Sequence, residues 1–337
     1  MATFLSSVSS VVVIVLIMLL GYVLRRAGWL ADSFSGNISK LITQIALPAS
    51  IFISVQNNLT RGSLLNLFED LLLPFIGVVI SYVVAFILVK VIKVKVGRRG
   101  TFINTIANAN TIFIGMPLNI ALFGNRAMPY FLVYYIINTV STWAFGVFLI
   151  KNDDPTLVAQ EKKEHKIEWK KILPMPLVGF IVAVIWLLTG WELPTFANQT
   201  FTYIGNLVTP LSLIYIGIVL ADSGIKSVHF DKDTVIALLG RFILAPAVMI
   251  FLVKIGAPAL KLTVPSLMGQ TFIVQAATPA LSVLPILANE AHGDVDYATN
   301  VVVLSTLLFI VVVPVLMLIV GCLVRISHNS SSLAVMI

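Results

Sequence analysis

The 337-residue chain is dominated by apolar residues: 58% are hydrophobic, only 11% are charged, and the mean hydropathy is +1.01. Soluble domains contain roughly 45–50% apolar and about 25% charged residues. The composition excludes a soluble globular enzyme, and no hydrophilic block is long enough for a separate soluble domain. The net charge of +7 comes from Lys and Arg in short loops, so it does not indicate a nucleic-acid partner. The single cysteine, Cys322, cannot form an intramolecular disulfide.

Segments of about 20 mostly apolar residues, long enough to cross a bilayer, recur along the whole chain. The first has no Lys or Arg before it and is followed by Arg25 and Arg26, which predicts an uncleaved span rather than a signal peptide. The pattern predicts an all-α polytopic membrane protein with ten transmembrane helices. Their predicted positions are 8–24, 37–56, 70–90, 102–123, 128–150, 173–190, 201–221, 233–253, 263–288 and 297–321.

The distribution of basic residues predicts how these spans are oriented. With the N-terminus outside, fifteen Lys and Arg residues fall in the inner loops and five in the outer loops. Basic residues concentrate on the cytoplasmic side of membrane proteins. We therefore expect a multi-pass protein of the cell membrane with both termini outside and the basic loops in the cytoplasm. The inner set is Arg25, Arg26, Lys90, Lys93, Lys95, Arg98, Arg99, Lys151, Lys162, Lys163, Lys166, Lys170, Lys171, Lys226 and Lys232, and the outer set is Arg61, Arg126, Lys254, Lys261 and Arg325.

A hydrophilic stretch divides the predicted spans into two sets of five. We expect a first five-helix repeat at 1–150, a cytoplasmic linker at 151–172, a second repeat at 173–325 and a short tail at 326–337. An odd number of spans per set turns the second set over, so the repeat is expected to be inverted. Several residues recur 162 positions downstream, which supports a repeat. These are Pro48 with Pro210, Ser50 with Ser212, and Pro117 with Pro279.

The fourth and ninth predicted spans mix polar residues with a central proline. The fourth contains Asn110, Thr111, Gly115 and Pro117, and the ninth contains Gln275, Thr278, Pro279 and Ser282. Proline removes a backbone donor and frees a carbonyl, and freed groups inside a bilayer must be satisfied by protein or by water in a cavity. One interruption in each half is typical of a transporter site at the membrane midplane. Two kinked helices packed on their neighbours are the alternative interpretation.

At these residues the chain resembles the auxin efflux carrier family of membrane transporters in its short bacterial form, which is similar to malonate and malate permeases. The resemblance spans nearly the whole chain, and the fourth-span pattern is its most specific part. The segments that carry it are Asn110-Thr111 with Gly115-x-Pro117-Leu118, Gln275-Ala276-Ala277-Thr278-Pro279, Leu47-Pro48-Ala49-Ser50-Ile51-Phe52, and Arg241-Phe242-Ile243-Leu244-Ala245-Pro246. The large central loop of the long plant carriers is absent.

The resemblance implies a 5+5 inverted repeat in which broken helices four and nine cross, as in the sodium/proton antiporter-like or bile acid transporter-like folds. It also implies elevator-type alternating access, in which a transport domain moves against a scaffold. Organic anions such as auxin-like carboxylates, malonate or malate are the substrates that it implies. Carried onto this chain, the site would place Asn110, Pro117 and Pro279 at the crossing.

Half-helix N-termini attract anions without any formal charge. We therefore expect a substrate carboxylate to bind where the two interrupted spans cross. The expected ligands are Asn110, Thr111, Gln275 and Thr278, with Gly115, Pro117, Pro279 and Ser282 around them and with Pro48, Ser50, Pro210 and Ser212 supporting the crossing.

Charged residues inside the predicted spans are rare. No Asp or Glu lies deep in any of them, which argues against a sodium/proton antiporter and against a metal site, so no cofactor is expected. Arg241 is the exception, because it lies about 12 Å inside its span at ~1.5 Å per residue. Two roles stay open for it: pairing with freed helix carbonyls, or contact with an anionic substrate.

The pattern favours a secondary transporter or facilitator of small organic anions, with the lipid bilayer as its other partner. A homodimer is compatible with this interpretation. Export of another amphipathic solute and a transporter-like membrane sensor are the alternatives. An intramembrane enzyme is disfavoured because no nucleophile with a base lies at depth, and an ATP-driven pump is disfavoured because no GxxxxGK[ST] loop occurs.

Overall fold

Helices make up the described secondary structure of this protein in a computed structural model. The structure describes residues 2–62, 69–156, 175–223 and 228–334, and no strand occurs within these ranges. The helices are α1 (Ala2–Arg26), α2 (Phe34–Asn58), α3 (Leu72–Val91), α4 (Arg99–Ala107), α5 (111–123), α6 (Asn125–Lys151), α7 (Met175–Thr189), α8 (Thr195–Asp222), α9 (Lys232–Ala259), α10 (Ser266–Ala276), α11 (Leu284–Glu290) and α12 (Val295–Ala334).

Several of these helices are long and apolar enough to cross a membrane. Within the described ranges there are seven such segments, of which Arg99–Phe123 comprises α4 and α5 together. They are Phe34–Asn58, Leu72–Val91, Arg99–Phe123, Asn125–Lys151, Thr195–Asp222, Lys232–Ala259 and Val295–Val320. α7 is also apolar but is shorter, with 15 residues. The prediction of an all-helical protein with several membrane-crossing helices is confirmed. The count of ten and the inverted repeat stay predictions.

Part of the predicted organisation lies outside the described residues. This holds for positions 157–172 of the linker predicted at 151–172, and for positions 335–337 of the predicted tail. It also holds for the six inner-loop lysines Lys162, Lys163, Lys166, Lys170, Lys171 and Lys226. The described part of the tail continues α12 as far as Ala334.

Four of the prolines inside helices follow widened turns. A proline cannot donate the usual backbone hydrogen bond, and its ring collides with the carbonyl four residues earlier. A five-residue π-helical turn ends two residues before each of four prolines, so that the helix continues through the proline. The turns are Ile42–Ala46 before Pro48, Thr111–Gly115 before Pro117, Gly240–Leu244 before Pro246 and Leu252–Gly256 before Pro258.

Two breaks in the helices do occur, at 108–110 between α4 and α5 and at 277–283 between α10 and α11. We call them the paired interruptions. Pro279 lies inside the second one, whereas Pro117 lies within α5, after the first one. Pro285, the second residue of α11, has the helix position that Pro117 has in Met116–Phe123. The 162-residue spacing therefore pairs two prolines in different structural positions. Pro117 is the second residue of a helical segment, a position that tolerates proline, whereas Pro279 lies in a break between helices.

The contacts between helices divide them into two groups. α8 packs on α1 and on α2, and α2 packs on α7, so these four helices form the first group, with α1 against α8 as its most extensive contact. α3, α4, α6, α9, α10, α11 and α12 form the second group. α5 lies between the groups, because it contacts α1 and α8 as well as α6 and α10. The groups also meet directly, since α1 and α8 contact α12, and α2 contacts α6.

Glycines bring the backbones of the first group into direct contact. A Cβ atom added to Gly21 of α1 would overlap the Ile214 carbonyl of α8, and one added to Gly217 of α8 would overlap the Met18 carbonyl of α1. Small residues allow membrane helices to approach this closely, so that packing and weak backbone contacts hold them together. The α1–α8 contact is therefore a backbone-to-backbone crossing.

In the second group, one arginine joins the starts of three helices. Arg98 precedes α4 and forms ion pairs with Asp231 before α9 (2.5 Å) and with Asp294 before α12 (2.6 Å). Its guanidinium also lies 4.8 Å from the centre of the Tyr297 ring. Arg98 therefore fixes α4, α9 and α12 relative to one another at this end of the molecule.

We expect Gly217→Val to destabilise the protein by about 1–3 kcal/mol, because the added side chain would force α1 and α8 apart. The melting temperature of the purified protein in detergent measures this. Gly36→Val is the matched control, since an added Cβ at exposed Gly36 of α2 meets nothing within 4 Å. An unchanged melting temperature for Gly217→Val would show that the crossing is looser than described.

Candidate functional site

The paired interruptions are in contact with each other. The backbone N–H of Asn110 donates to the carbonyl of Pro279 over 2.9 Å. The side-chain nitrogen of Asn110 donates to the hydroxyl of Ser282 over 2.5 Å. The amide oxygen of Asn110 accepts a hydrogen bond from the N–H of Phe113, so the same side chain caps α5. Asn110 thus starts α5 and binds it to the second interruption.

Arg241 of α9 binds the carbonyl oxygens at both interruptions. It is 0% exposed, and its guanidinium donates to the carbonyl of Asn108 over 2.8 Å and to the carbonyl of Ala276. These carbonyls lie at the C-terminal ends of α4 and α10, where helix dipoles concentrate partial negative charge. The sequence left two roles open for Arg241. Its described contacts correspond to the first of them, pairing with freed helix carbonyls.

Gln275 and Gly115 form a close contact beside the interruptions. The Gln275 side-chain N–H donates to the carbonyl of Gly115 over 2.9 Å. A Cβ atom on residue 115 would overlap the Gln275 amide oxygen, so the glycine allows this side chain to lie directly against the α5 backbone. Thr278 donates its hydroxyl hydrogen to the Gln275 carbonyl over 2.9 Å. These predicted residues join α5 to α10.

A cavity of ≈ 70 Å³ lies at the N-terminal end of α5. It contains Asn110, Thr111 and Ser282 of the predicted set. Asn138 of α6, which the sequence analysis did not select, holds its wall by bonding both the N–H and the carbonyl of Ala109, at 2.8 and 2.9 Å. The full lining is Ala109, Asn110, Thr111, Ile112, Phe113, Asn138, Thr139, Thr142, Trp143, Leu281, Ser282 and Val283.

The residues predicted to support the crossing lie in the first group of helices. The Cα atom of Pro48 in α2 lies against Gly179 of α7, and the Cα atom of Ser50 lies against Gly205 of α8. On α8, Pro210 is exposed and Ser212 is buried. The structure thus brings Asn110, Thr111, Pro279, Ser282 and Arg241 together at the interruptions, with Gly115, Gln275 and Thr278 beside them and Pro117 further along α5. It places Pro48, Ser50, Pro210 and Ser212 in α2 and α8.

A second, larger cavity of ≈ 490 Å³ lies at the opposite end of the molecule from Arg98, and we call it the polar end cavity. It lies between the end of α2 and the starts of α3, α6 and α10. Its charged residues are Glu69, Asp70, Arg126 and Lys261, and Tyr130 and Met268 also line it. Partial burial, with Glu69 adding repulsion, raises the pKa of Asp70 to about 6. Among the described residues, no three His, Cys, Asp or Glu side chains are grouped as a metal site.

Comparison with known proteins gives matches over most of the chain. A sequence profile of the family described as "Membrane transport protein" matches residues 6–317. An uncharacterized transporter of Methanothermobacter thermautotrophicus is 24% identical, with 92% of this chain and 97% of that protein covered. An uncharacterized transporter of Methanocaldococcus jannaschii is 21% identical, covering 90% and 95%. Auxin efflux carrier component 8 of Arabidopsis thaliana is 22% identical, covering 89% and 94%.

Arg241→Met is expected to destabilise the protein, because the carbonyls of Asn108 and Ala276 would stay buried without this donor. Each buried acceptor left unsatisfied costs about 1–3 kcal/mol. Arg241→Lys is expected to be intermediate, since an ammonium is a compact group rather than a two-pronged fork. Melting temperature in detergent is the measurement, with Lys40→Met of exposed Lys40 as control. Equal melting temperatures for Arg241→Met and Lys40→Met would contradict the role of Arg241.

Asp70 is expected to make stability depend on pH. Its pKa in the folded protein, about 6, lies above the ordinary 3.8. The folded state therefore binds more protons than the unfolded state between these values, so stability falls as pH rises through this window. Asp70→Asn is expected to flatten the melting-temperature profile between pH 4 and 6, whereas Glu192→Gln at an exposed loop position leaves it unchanged. A profile for Asp70→Asn as steep as the parent's would refute this.

Proposed function

Because the chain belongs to the membrane transport protein family, the family of the auxin efflux carriers, we propose that it is a secondary transporter of small organic anions. The observation that carries this proposal is the small cavity at the N-terminal end of α5, beside the paired interruptions. Interrupted helices that meet inside a membrane protein are the usual construction of a transporter site.

The electrostatics at the interruptions favour an anion in this cavity. Arg241 binds the C-terminal carbonyls of α4 and α10, and so offsets the negative ends of these two helices. The N-terminal end of α5, with a partial positive charge of about half a unit, is at the cavity. None of the twelve lining residues has a cationic side chain. In this proposal the helix end stabilises the carboxylate in their place.

The lining suits a carboxylate that is attached to an apolar body. Thr111 and Ser282 each accept a hydrogen bond and so keep a hydroxyl hydrogen for a carboxylate, whereas Trp143 and Leu281 supply apolar surface. The ≈ 70 Å³ volume has room for a group of a few non-hydrogen atoms. Mono- and dicarboxylates are the substrate class that we propose, and the name of the Arabidopsis relative, an auxin efflux carrier, supports it.

The two groups of helices support an elevator-type mechanism. In this proposal the first group is the scaffold, and the second group carries the cavity past it together with α5. The proposed chain organisation is a 5+5 inverted repeat of residues 1–150 and 173–325, with both termini outside. The division into two separately moving groups is supported by the α1–α8 backbone crossing in the first group and by the three helix starts that Arg98 joins in the second.

Export of another amphipathic solute is the second candidate, and the apolar surface of Trp143 and Leu281 in the cavity favours it. Flux into and out of vesicles with a panel of charged and neutral solutes separates the two candidates.

The first experiment is a thermal-shift screen of the purified protein with mono- and dicarboxylates, followed by flux measurements in vesicles. Thr111→Val is expected to weaken stabilisation by a carboxylate about tenfold in half-saturating concentration, because one hydrogen bond to a charged group contributes about 1.5 kcal/mol or more. Thr111 accepts a hydrogen bond from Asn138 over 3.3 Å, so its own hydroxyl hydrogen is available to a ligand.

Thr101→Val is the matched control, because the buried Thr101 hydroxyl of α4 has no hydrogen-bond partner among the described residues and is outside the cavity lining. It should leave the carboxylate response unchanged. If no carboxylate stabilises the parent protein or is transported, the anion proposal fails. If Thr111→Val and Thr101→Val respond alike, the assignment of the cavity fails.

A further inference from the structure

Three buried polar side chains of α5 and α10 lack partners for some of their polar atoms. Both amide atoms of Asn119, the hydroxyl of Thr271 and the amide oxygen of Gln275 have no hydrogen-bond partner among the described residues. All three residues are 0% exposed. Buried polar groups in proteins are nearly always satisfied by protein or by ordered water. These atoms therefore indicate a bound polar ligand.

The two helices run antiparallel, which brings these groups to one interface. Asn110 at the start of α5 binds Pro279, and Gly115, further along α5, binds Gln275, which lies earlier in the chain than Pro279. One turn beyond Gly115 on α5 is Asn119, and one turn before Gln275 on α10 is Thr271. α5 and α10 contact each other along this region.

The same face of α10 leads to the polar end cavity. Met268, Thr271 and Gln275 follow the i, i+3, i+7 spacing that places residues on one helix face. Met268 lines the polar end cavity, and Gln275 lies beside the paired interruptions. The unpaired atoms thus lie along a line between the cavity and the interruptions.

We propose that α5 and α10 enclose a hydrated seam, in which Asn119, Thr271 and Gln275 bind a short chain of ordered water molecules. The ligand class follows from the side chains, which are neutral amides and a hydroxyl and offer both donors and acceptors. A water molecule matches such a mixture, since it makes two to four hydrogen bonds of both kinds. The seam gives water, and protons carried by it, a path from the polar end cavity to the interruptions.

Water access is tested with single cysteines in a Cys322→Ser background, because Cys322 is the only cysteine of the chain. The probe is Ag⁺, which is small and binds the thiolate that forms in water. The variants are Met268→Cys in the cavity lining, Thr271→Cys in the seam and Ile273→Cys, a buried position on the opposite face of α10 that packs in the apolar core. The readout, in detergent, is the thiol left for maleimide after quenching and denaturation.

We expect Met268→Cys to react fastest and Thr271→Cys to react roughly tenfold or more faster than Ile273→Cys. Equal protection of Thr271→Cys and Ile273→Cys would overturn the proposal, because a dry seam forms no thiolate. The measurement needs no substrate, so its outcome is independent of the transport proposal.

A second variant tests the same seam by the sign of its effect on stability. In a dry seam, Asn119→Leu removes an unsatisfied amide and raises the melting temperature. In a hydrated seam it removes partners from bound water and lowers the melting temperature. A rise in melting temperature would overturn the proposal, and a fall supports it.

Discussion

The architecture around the proposed site depends on one buried guanidinium bound to two helix ends. Arg241 lies between the C-terminal carbonyls of α4 and α10 and donates to both. Two helix C-termini that face each other in an apolar interior repel, and their carbonyls lack intrahelical partners. The arginine offsets both costs at once, which allows the two interruptions to stay in contact through Asn110 and Pro279.

This arrangement makes the two sides of the interruptions electrostatically different. The C-terminal ends are bound by Arg241, whereas the N-terminal end of α5 lies at a cavity that has polar and apolar walls. The close contact of Gln275 with Gly115 fixes α5 against α10, and so fixes where that N-terminal end lies. The selectivity proposed for anions follows from this asymmetry rather than from a cationic side chain in the cavity.

The helices and the polar composition of both interrupted segments could be predicted from the sequence, since span length and apolarity are local properties. The position of the first break could not. Pro117 drew attention because proline disrupts helices, yet a π-helical turn accommodates it, and the break at 108–110 is held by tertiary contacts of Asn110 and Arg241. A carbonyl partner leaves no mark in a sequence, so the sequence left two roles for Arg241 open, and the described contacts of its guanidinium are with carbonyls. Asn138 was missed although polar Thr139 and Thr142 follow it within an apolar helix.

The glycines at the α1–α8 crossing have a mechanical consequence. Where two backbones touch, no layer of side chains remains between them that could change rotamer and let the helices slide. The first group is therefore stiff along this contact, and displacing helices costs less free energy at other interfaces. Interfaces built from side chains, such as the Phe113–Tyr215 ring contact where α5 meets α8, are left to absorb displacement. The rigid α1–α8 contact thus determines which other helix interfaces can move.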